Sequence, residues 1–468
     1  MSSTVDVHMR ETDAFSWTME KDPVLRMPVM AVAILDGTPD WDEVVRRMER
    51  VSRAVPLFRQ RVVTTPAKLA PPKWVVDDRF DLSWHVRRVV APAPGTSDAL
   101  LDLAAKLAMA AFDLERPLWE VWLVDGLENG RSAWLAKVHH TLTDGIGGMQ
   151  LLSHLFDVDG VPLAPAPAAT QPDGAEIGTL TMLRSGAEHD LHQLLGLARG
   201  AVSVTTKTLR HARHDPVAAI AGATATWRTL IEAVSPTGDR LSPVMTGRGL
   251  RRRYAAFDVP LDGLRRAGRT VDGTVNDAFL TAVTGGLRRY HQLHDSAVYE
   301  LRLTLPIDVR ESGDAEAGNR IALIRLTVPV EPEDAAARMA EIRRRVERWK
   351  DAPGLAYIEA AYALVNNLPP AYLQGLARHV DFVASNVPAF PMPVRLAGPR
   401  LEALYAFGPT GGTGVNVTMM SYAGTVYVGV DVDTEAVPDV DAFVTCLRAG
   451  FDEVVGLAGA DTEVGATA

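Results

Sequence analysis

Apolar and polar positions divide this chain into two mixed α/β halves joined by a stretch of different character. Met27–Leu35 is a short, almost unbroken apolar run with strand character. Trp41–Val55 carries apolar residues at helical spacing, and the Leu- and Ala-rich Ser97–Phe112 keeps its polar residues to one side, so both are expected as amphipathic helices. Pro117 breaks that pattern. The clearest hairpin follows: Leu118–Asp125 and Ser132–Val138 are strand-like runs flanking residues 126–131, which contain Asn129-Gly130. Its second strand ends on two adjacent histidines, His139 and His140. Gly145, Gly147 and Gly148 then open the way into a helix expected from Ile146 to Phe156.

Val161–Gly174 is rich in Pro and Ala, with Pro162, Pro165, Pro167 and Pro172, and reads as a linker. Helical patterns follow at Leu191–Arg213 and Val217–Val234, then a basic loop at Arg248–Arg253. The mixed pattern resumes with Thr274 as the N-cap of a helix to Tyr290. Strands are expected at Glu300–Leu305, Ile321–Val328, Val415–Met420 and Thr425–Val432. Alternating helices and strands in both halves predict an α/β (α+β) protein of two similar mixed-sheet domains. Residues 1–160 form the first, 161–250 a linker and helical crossover, and 251–468 the second.

A length of 468 residues supports two cores, and 47% hydrophobic with 23% charged residues is ordinary for a globular protein. The formal charge of −10 argues against a nucleic-acid partner. A single cysteine, Cys446, excludes an intrachain disulfide and a cysteine-based metal site; within Asp441–Arg448, an amphipathic helical pattern, it is expected to be a buried thiol. The first residues lack a basic start followed by an apolar stretch, and no apolar run approaches the ~20 residues of a membrane span. A cytoplasmic protein is expected, with peripheral membrane contact open.

The densest chemistry lies in His139-His140-Thr141-Leu142-Thr143-Asp144-Gly145. Imidazole is the side chain best suited to accept a proton near neutral pH. An attacking alcohol needs that help, and a thioester electrophile leaves as a stable thiolate, so one base could suffice. His140 is the candidate base, and His139 and Gly145 shape the loop. Asp144 either orients the imidazole or holds the loop through an arginine ion pair. No Gly-x-Ser-x-Gly elbow supports a serine acyl-enzyme. Gly408–Gly414 lacks the Lys-Ser/Thr of a phosphate loop and leads into a strand, which favours a turn near the site. His189 and His192, beside Glu188 and Asp190, read as a solvated helix face, and the basic runs at Arg248–Arg253 and Arg265–Arg269 as solvated surface with phosphate contact as the minority alternative.

His139-His140-xxx-Asp144-Gly145 resembles a motif shared by bacterial wax ester synthase/acyl-CoA:diacylglycerol acyltransferases, peptide-synthetase condensation domains and carnitine or chloramphenicol acyltransferases. Pro117-Leu118-Trp119, Asn276-Asp277, Leu305–Arg310 with Gly318-Asn319-Arg320, and Ser385-Asn386-Val387-Pro388 resemble segments of the first of these families. Asn416, Ser421-Tyr422 and Gly424 fit its closing strands, and the collinear match runs from Thr12 to about Leu447. Ala389-Phe390 departs from the family's Gly-Pro, and the stretch between Ala164 and Arg240 matches loosely.

The resemblance implies two chloramphenicol-acetyltransferase-like domains with a tunnel between them. Long-chain acyl-CoA would enter from one face and diacylglycerol or a fatty alcohol from the other, meeting at His140. It implies Asn276 near the reacting centre, Arg310 as the partner of Asp144, and Asp277, Pro117, Leu118, Trp119, Ser385 and Asn386 in binding or support. No metal or bound cofactor is implied; acyl-CoA is a co-substrate. Association with the inner membrane face or lipid inclusions is expected of such a protein. An amide-forming condensation enzyme and a non-catalytic lipid-binding protein are the rival readings.

Overall fold

The computed structural model describes residues 8–64, 71–142, 152–158, 224–308 and 321–464, apart from 230, 233–234, 236–237, 239, 353, 356–357, 367, 369–371, 373–374 and 376–378. The first half contains α1 (Glu11–Met19), β1 (Pro28–Leu35), α2 (Trp41–Ala54), β2 (Gln60–Val63) and β3 (Lys73–Val76). Then come α3 (Leu82–His85), β4 (Val86–Val90), α4 (Ser97–Met109), β5 (Trp119–Asp125), β6 (Ser132–His139) and β7 (Asp157–Val158). The second half carries β8 (Arg252–Pro260), α5 (Leu261–Arg269), α6 (Val275–Leu293), β9 (Glu300–Asp308), β10 (Ile321–Pro329), α7 (Ala335–Lys350) and α8 (Ile358–Asn366). It closes with β11 (Phe382–Pro388), β12 (Val394–Arg395), β13 (Leu401–Phe407), β14 (Val415–Tyr422), β15 (Thr425–Asp433) and α9 (Val440–Val464).

Local signals account for much of this. The Asp40 carboxylate accepts the Glu43 N–H at 2.8 Å and starts α2, whose buried Val44, Met48 and Val51 recur at helical spacing. Thr274 and Asp277 form a reciprocal capping box at the head of α6. Asn129 (φ 60°) and Gly130 (φ 71°) take the left-handed backbone that the turn between β5 and β6 requires. In β9, Leu301, Leu303 and Leu305 are buried in the core while Arg302, Thr304 and Pro306 face the other way.

One sheet has the strand order β13-β1-β6-β5-β4 and the other β10-β9-β11-β14-β15-β8. The first places β6 in the middle, with every residue buried. Its two faces pack into separate cores, one rich in tryptophan (Trp17, Trp74, Trp119, Trp134) and one formed with α4. The second sheet is backed by α5, α6, α7 and α9 over a larger core.

The residues expected as a separate second unit, 251–468, lend a strand to the first sheet. β13 pairs antiparallel with β1, from Met30 opposite Phe407 to Leu35 opposite Leu401. β13 also lies against β14 and β15; a methyl on Gly429 would collide with the Ala406 carbonyl. Tyr254 of β8 stacks on Phe407 of β13 with ring centroids 4.1 Å apart. The sheets are thus tied by chain crossing as well as by packing.

The basic segment Arg248–Arg253 also departs from the solvated loop expected. Arg251 is exposed as expected, but β8 begins at Arg252, whose side chain is buried 3.7 Å from Asp433, and Arg248 is half-buried. Arg265, Arg266 and Arg269 are exposed on α5, as expected. Cys446 is half-buried in α9, and burial pushes its thiol pKa up. The proline-rich linker, the helix expected at Leu191–Arg213, most of that at Val217–Val234 and of that at Ile146–Phe156, and His189 and His192 lie outside the described residues. No described helix is long and apolar enough to cross a membrane.

Asp431 is a buried carboxyl in β15, and burial pushes its pKa up to about 7, against the pull of Arg252 and with the repulsion of Asp433. Its folded value lies above the ordinary 3.8, so the stability it contributes is complete below that pH and is lost as the pH rises toward 7. Asp431→Asn is expected to raise the melting temperature at about pH 8 and leave it nearly unchanged at about pH 4. Equal shifts at both pH values, measured by scanning fluorimetry, would refute this assignment.

Candidate active site

β6 delivers the histidine pair between two neighbours. The His139 N–H donates to the Leu118 carbonyl, and the His140 N–H to the Met27 carbonyl, each at 3.0 Å. The first bond explains the Pro117-Leu118-Trp119 segment. The Trp119 N–H donates to the Pro117 carbonyl at 2.9 Å, and its indole N–H to the Phe58 carbonyl at 2.9 Å. The ring is fully buried and stacks on Phe58 at 4.9 Å and on His85 at 4.4 Å. The His85 Nδ1–H returns to the Trp119 carbonyl at 2.7 Å, and burial pushes the His85 pKa down. This segment is a footing for the histidines and does not line the cavity beside them.

His139 is sealed from solvent, with Trp17 and Phe112 edge-on at 6.0 Å. Its Nδ1 accepts the Thr141 N–H at 3.2 Å and lies 2.8 Å from the Thr141 hydroxyl. Its Nε2 stands 3.3 Å from Glu20 Oε2. The same Glu20 oxygen accepts the Met27 N–H at 3.3 Å, and Met27 in turn holds His140 through its carbonyl. Arg26 Nε lies 3.6 Å from the other oxygen. Glu20 therefore orders both histidines, one through its ring and one through its backbone. Sequence inspection missed it, because an acid at the end of α1 carries no local mark of contact with a distant strand.

Glu20→Ala is expected to lower kcat by about ten- to a hundredfold through misplacement of the pair. Glu20→Gln, which keeps an acceptor for the Met27 N–H, should retain most of the activity. Steady-state kinetics on the two folded variants checks this; equal losses would argue for the carboxylate charge instead.

His140, half-buried, opens onto about 850 Å³ of empty space where the two sheets meet. α1 and the loop after it supply Phe15, Met19, Leu25 and Met27. The second sheet supplies Thr304, Pro306, Leu323, Arg325, Val383, Ser385 and Asn416, and α8 supplies Tyr362. The wall is mostly apolar, with a few hydroxyls.

The Gly408–Gly414 turn closes one side through Pro409, Thr410, Gly411 and Thr413, as expected of a bend near the site. Asn416 Nδ2 donates to the Pro409 carbonyl at 2.7 Å, and the Thr418 hydroxyl to Asn416 Oδ1 at 2.9 Å. A β-carbon on Gly408 would stand 2.7 Å from that Asn416 nitrogen. Arg248 Nε donates to the Gly412 carbonyl at 2.7 Å and its Nη1 to the Met245 carbonyl at 2.8 Å. Burial lowers its pKa to about 10, so it is charged at neutral pH. The arginine taken for surface is a brace for the cavity wall.

Asp144, Gly145 and Arg310 lie outside the described residues, so the expected Asp144–Arg310 pair does too. Ser385 is on the cavity wall, whereas Asn386, one residue on in β11, is exposed on the opposite face. Asp277 is committed to the α6 capping box, with its Oδ2 accepting from the Thr274 N–H at 2.8 Å. Asn276 stands beside it in the first helical turn and is not among the residues lining this cavity. Phe390, one of the two residues that depart from the family's Gly-Pro, is not among those lining this cavity; it packs into the first-sheet core, 5.9 Å from Phe156.

Two solved structures share this architecture. The wax ester synthase/diacylglycerol acyltransferase from Marinobacter aquaeolei VT8 superposes with a TM-score of 0.61 at 22% identity, covering 97% of this chain and 100% of that one. The first condensation domain of the calcium-dependent antibiotic synthetase gives 0.62 at 16% identity, covering 97% of each chain. The class defined is a two-domain, chloramphenicol-acetyltransferase-like fold with a histidine at the junction. Fold alone does not separate ester from amide formation. The sequence models do: the wax ester synthase/diacylglycerol acyltransferase catalytic domain matches residues 9–279, and the family's C-terminal domain matches 317–454. A Mycobacterium tuberculosis (strain ATCC 25618 / H37Rv) protein, whose name assigns it to the diacylglycerol O-acyltransferases, is 35% identical over 443 residues, covering 94% of this chain and 90% of its own. The chain belongs to the wax ester synthase/diacylglycerol acyltransferase family and is an acyltransferase.

Proposed function

We propose that the chain moves a long-chain acyl group from acyl-CoA directly to the hydroxyl of diacylglycerol, with a fatty alcohol as the alternative acceptor. The observation that carries this is His140, just past the end of β6, at the edge of a mostly apolar cavity walled by α1, the loop after it and the second sheet. His140 takes the hydroxyl proton as the alcohol oxygen attacks the thioester carbon. The tetrahedral intermediate then collapses, the ester forms, and the CoA thiolate recovers the proton from the imidazolium. His139 and Asp144 support the loop, Gly145 lets it turn, and Arg310 pairs with Asp144. No metal or bound cofactor takes part in this scheme.

The apolar walls suit an acyl chain, and hydroxyls of Thr304 and Ser385 are available to the reacting groups. Peripheral contact with a cytoplasmic membrane face or lipid inclusion belongs to the same proposal. Exposed Trp227 and Ile231, spaced one helical turn apart, support it. The test is radiolabelled palmitoyl-CoA offered diacylglycerol and fatty alcohol together, with products separated by thin-layer chromatography. Labelled triacylglycerol or wax ester is the expected result. Product only with amine acceptors would favour the condensation chemistry, and lipid binding without CoA release would mark a non-catalytic protein.

A further inference from the structure

Outside the cavity, the feature most exceptional for a chain of net charge −10 is a groove beside β10 and α7, with about 980 Å³ of space that opens to solvent. Six arginines line it, Arg228, Arg302, Arg325, Arg344, Arg345 and Arg348, against one carboxylate, Glu232. Several of these arginines are paired. Arg344 and Arg345 share Glu341, Arg345 also reaches Glu300, and Arg228 pairs with Glu232. Arg302 donates to the carbonyls of Gly238 and His379, and Arg325 to that of Ser235. Arg348 is exposed and has no ion pair or hydrogen bond among the described residues.

The groove is joined to the His140 cavity by the strands between them. On the outward face of β9 and β10, successive pairs are Pro306 with Leu323, Thr304 with Arg325, and Arg302 with Thr327. The first two pairs line the cavity, the third lines the groove, and Arg325 borders both. At ~3.3 Å per residue the four steps from Leu323 to Thr327 cover roughly 13 Å. A ligand with its reactive carbonyl at His140 and its charge in the groove must carry the two on an extended arm. Guanidinium forks match phosphate oxygens bidentately, and Trp349 borders the groove with an aromatic ring.

Resting on acyl-CoA as the donor, we infer that this arginine groove binds the nucleotide phosphates of the CoA thioester, with Arg348 and Arg344 as their contacts. The pantetheine arm then runs along the outward face of β9 and β10 to present the thioester at His140. A phosphate on a lipid headgroup would share this chemistry, and the experiment separates the two sources.

Arg348→Glu and Arg344→Gln are compared with the unmodified protein on palmitoyl-CoA and on palmitoyl-pantetheine, which lacks every phosphate. The KM for palmitoyl-CoA should rise roughly ten- to a hundredfold, as loss of a charged hydrogen bond predicts, with the KM for palmitoyl-pantetheine unchanged. An unchanged KM for palmitoyl-CoA, or an equal rise with both thioesters, overturns the proposal. So does release of the variants from phosphatidylglycerol vesicles, but not phosphatidylcholine vesicles, with the palmitoyl-CoA KM intact; that result assigns the groove to lipid. If neither thioester yields product with the unmodified protein, the acyl-transfer proposal fails by itself. Calorimetric titration with adenosine 3′,5′-bisphosphate then decides the groove: binding lost in Arg348→Glu supports it, and no binding to the unmodified protein refutes it.

Discussion

Replacing His140 by alanine is expected to lower kcat by roughly 10²- to 10⁴-fold, the usual contribution of a positioned general base. The fold should survive. His140 is held through its backbone N–H to the Met27 carbonyl, a bond that the substitution keeps, and its ring faces a cavity instead of filling a core. The apolar walls proposed to take the acyl chain are also untouched, so KM for palmitoyl-CoA should change little. Single-turnover assays with matched circular dichroism spectra make the measurement. A folded variant with normal turnover would remove His140 from the mechanism and leave the cavity without its base.

The largest stability effect is expected at Trp119. Trp119→Ala removes a fully buried ring stacked between Phe58 and His85, and should cost about 3–5 kcal/mol as buried aromatic truncations do. It also strands the Phe58 carbonyl, which loses the indole N–H. Because Leu118 next door accepts the His139 N–H, loosening this footing should reduce activity in whatever fraction remains folded. Trp119→Phe, which keeps most of the stacking, should be milder. Urea denaturation of the three proteins tests this, and a loss below about 1 kcal/mol for Trp119→Ala would show that the segment is not a footing.

The elements governed by neighbouring residues were legible in the chain. Asn129-Gly130 set the turn that pairs β5 with β6 and brings His139 and His140 to the end of a central strand. Thr274 started α6, and the alternation in Glu300–Leu305 gave β9 its buried and outward faces. The histidine pair marked the chemistry because paired imidazoles beside a carboxylate and a glycine form a dense polar group within a short stretch.

Contacts between distant segments were decided elsewhere. β13 joins β1 because an open edge of the first sheet meets an apolar strand returning from the second half, and no periodicity within Leu401–Phe407 names that partner. Glu20 reaches His139 only once α1 lies beneath the end of β6. Arg248 has the same composition as a surface arginine; burial against Gly412 and Met245 carbonyls makes it a brace. The residues alone determined the two α/β halves and singled out His140 as the candidate base, since both follow from short-range pattern and side-chain chemistry. Tertiary structure alone decided what stands behind that imidazole and what space lies in front of it, because those depend on which remote surfaces exclude water together.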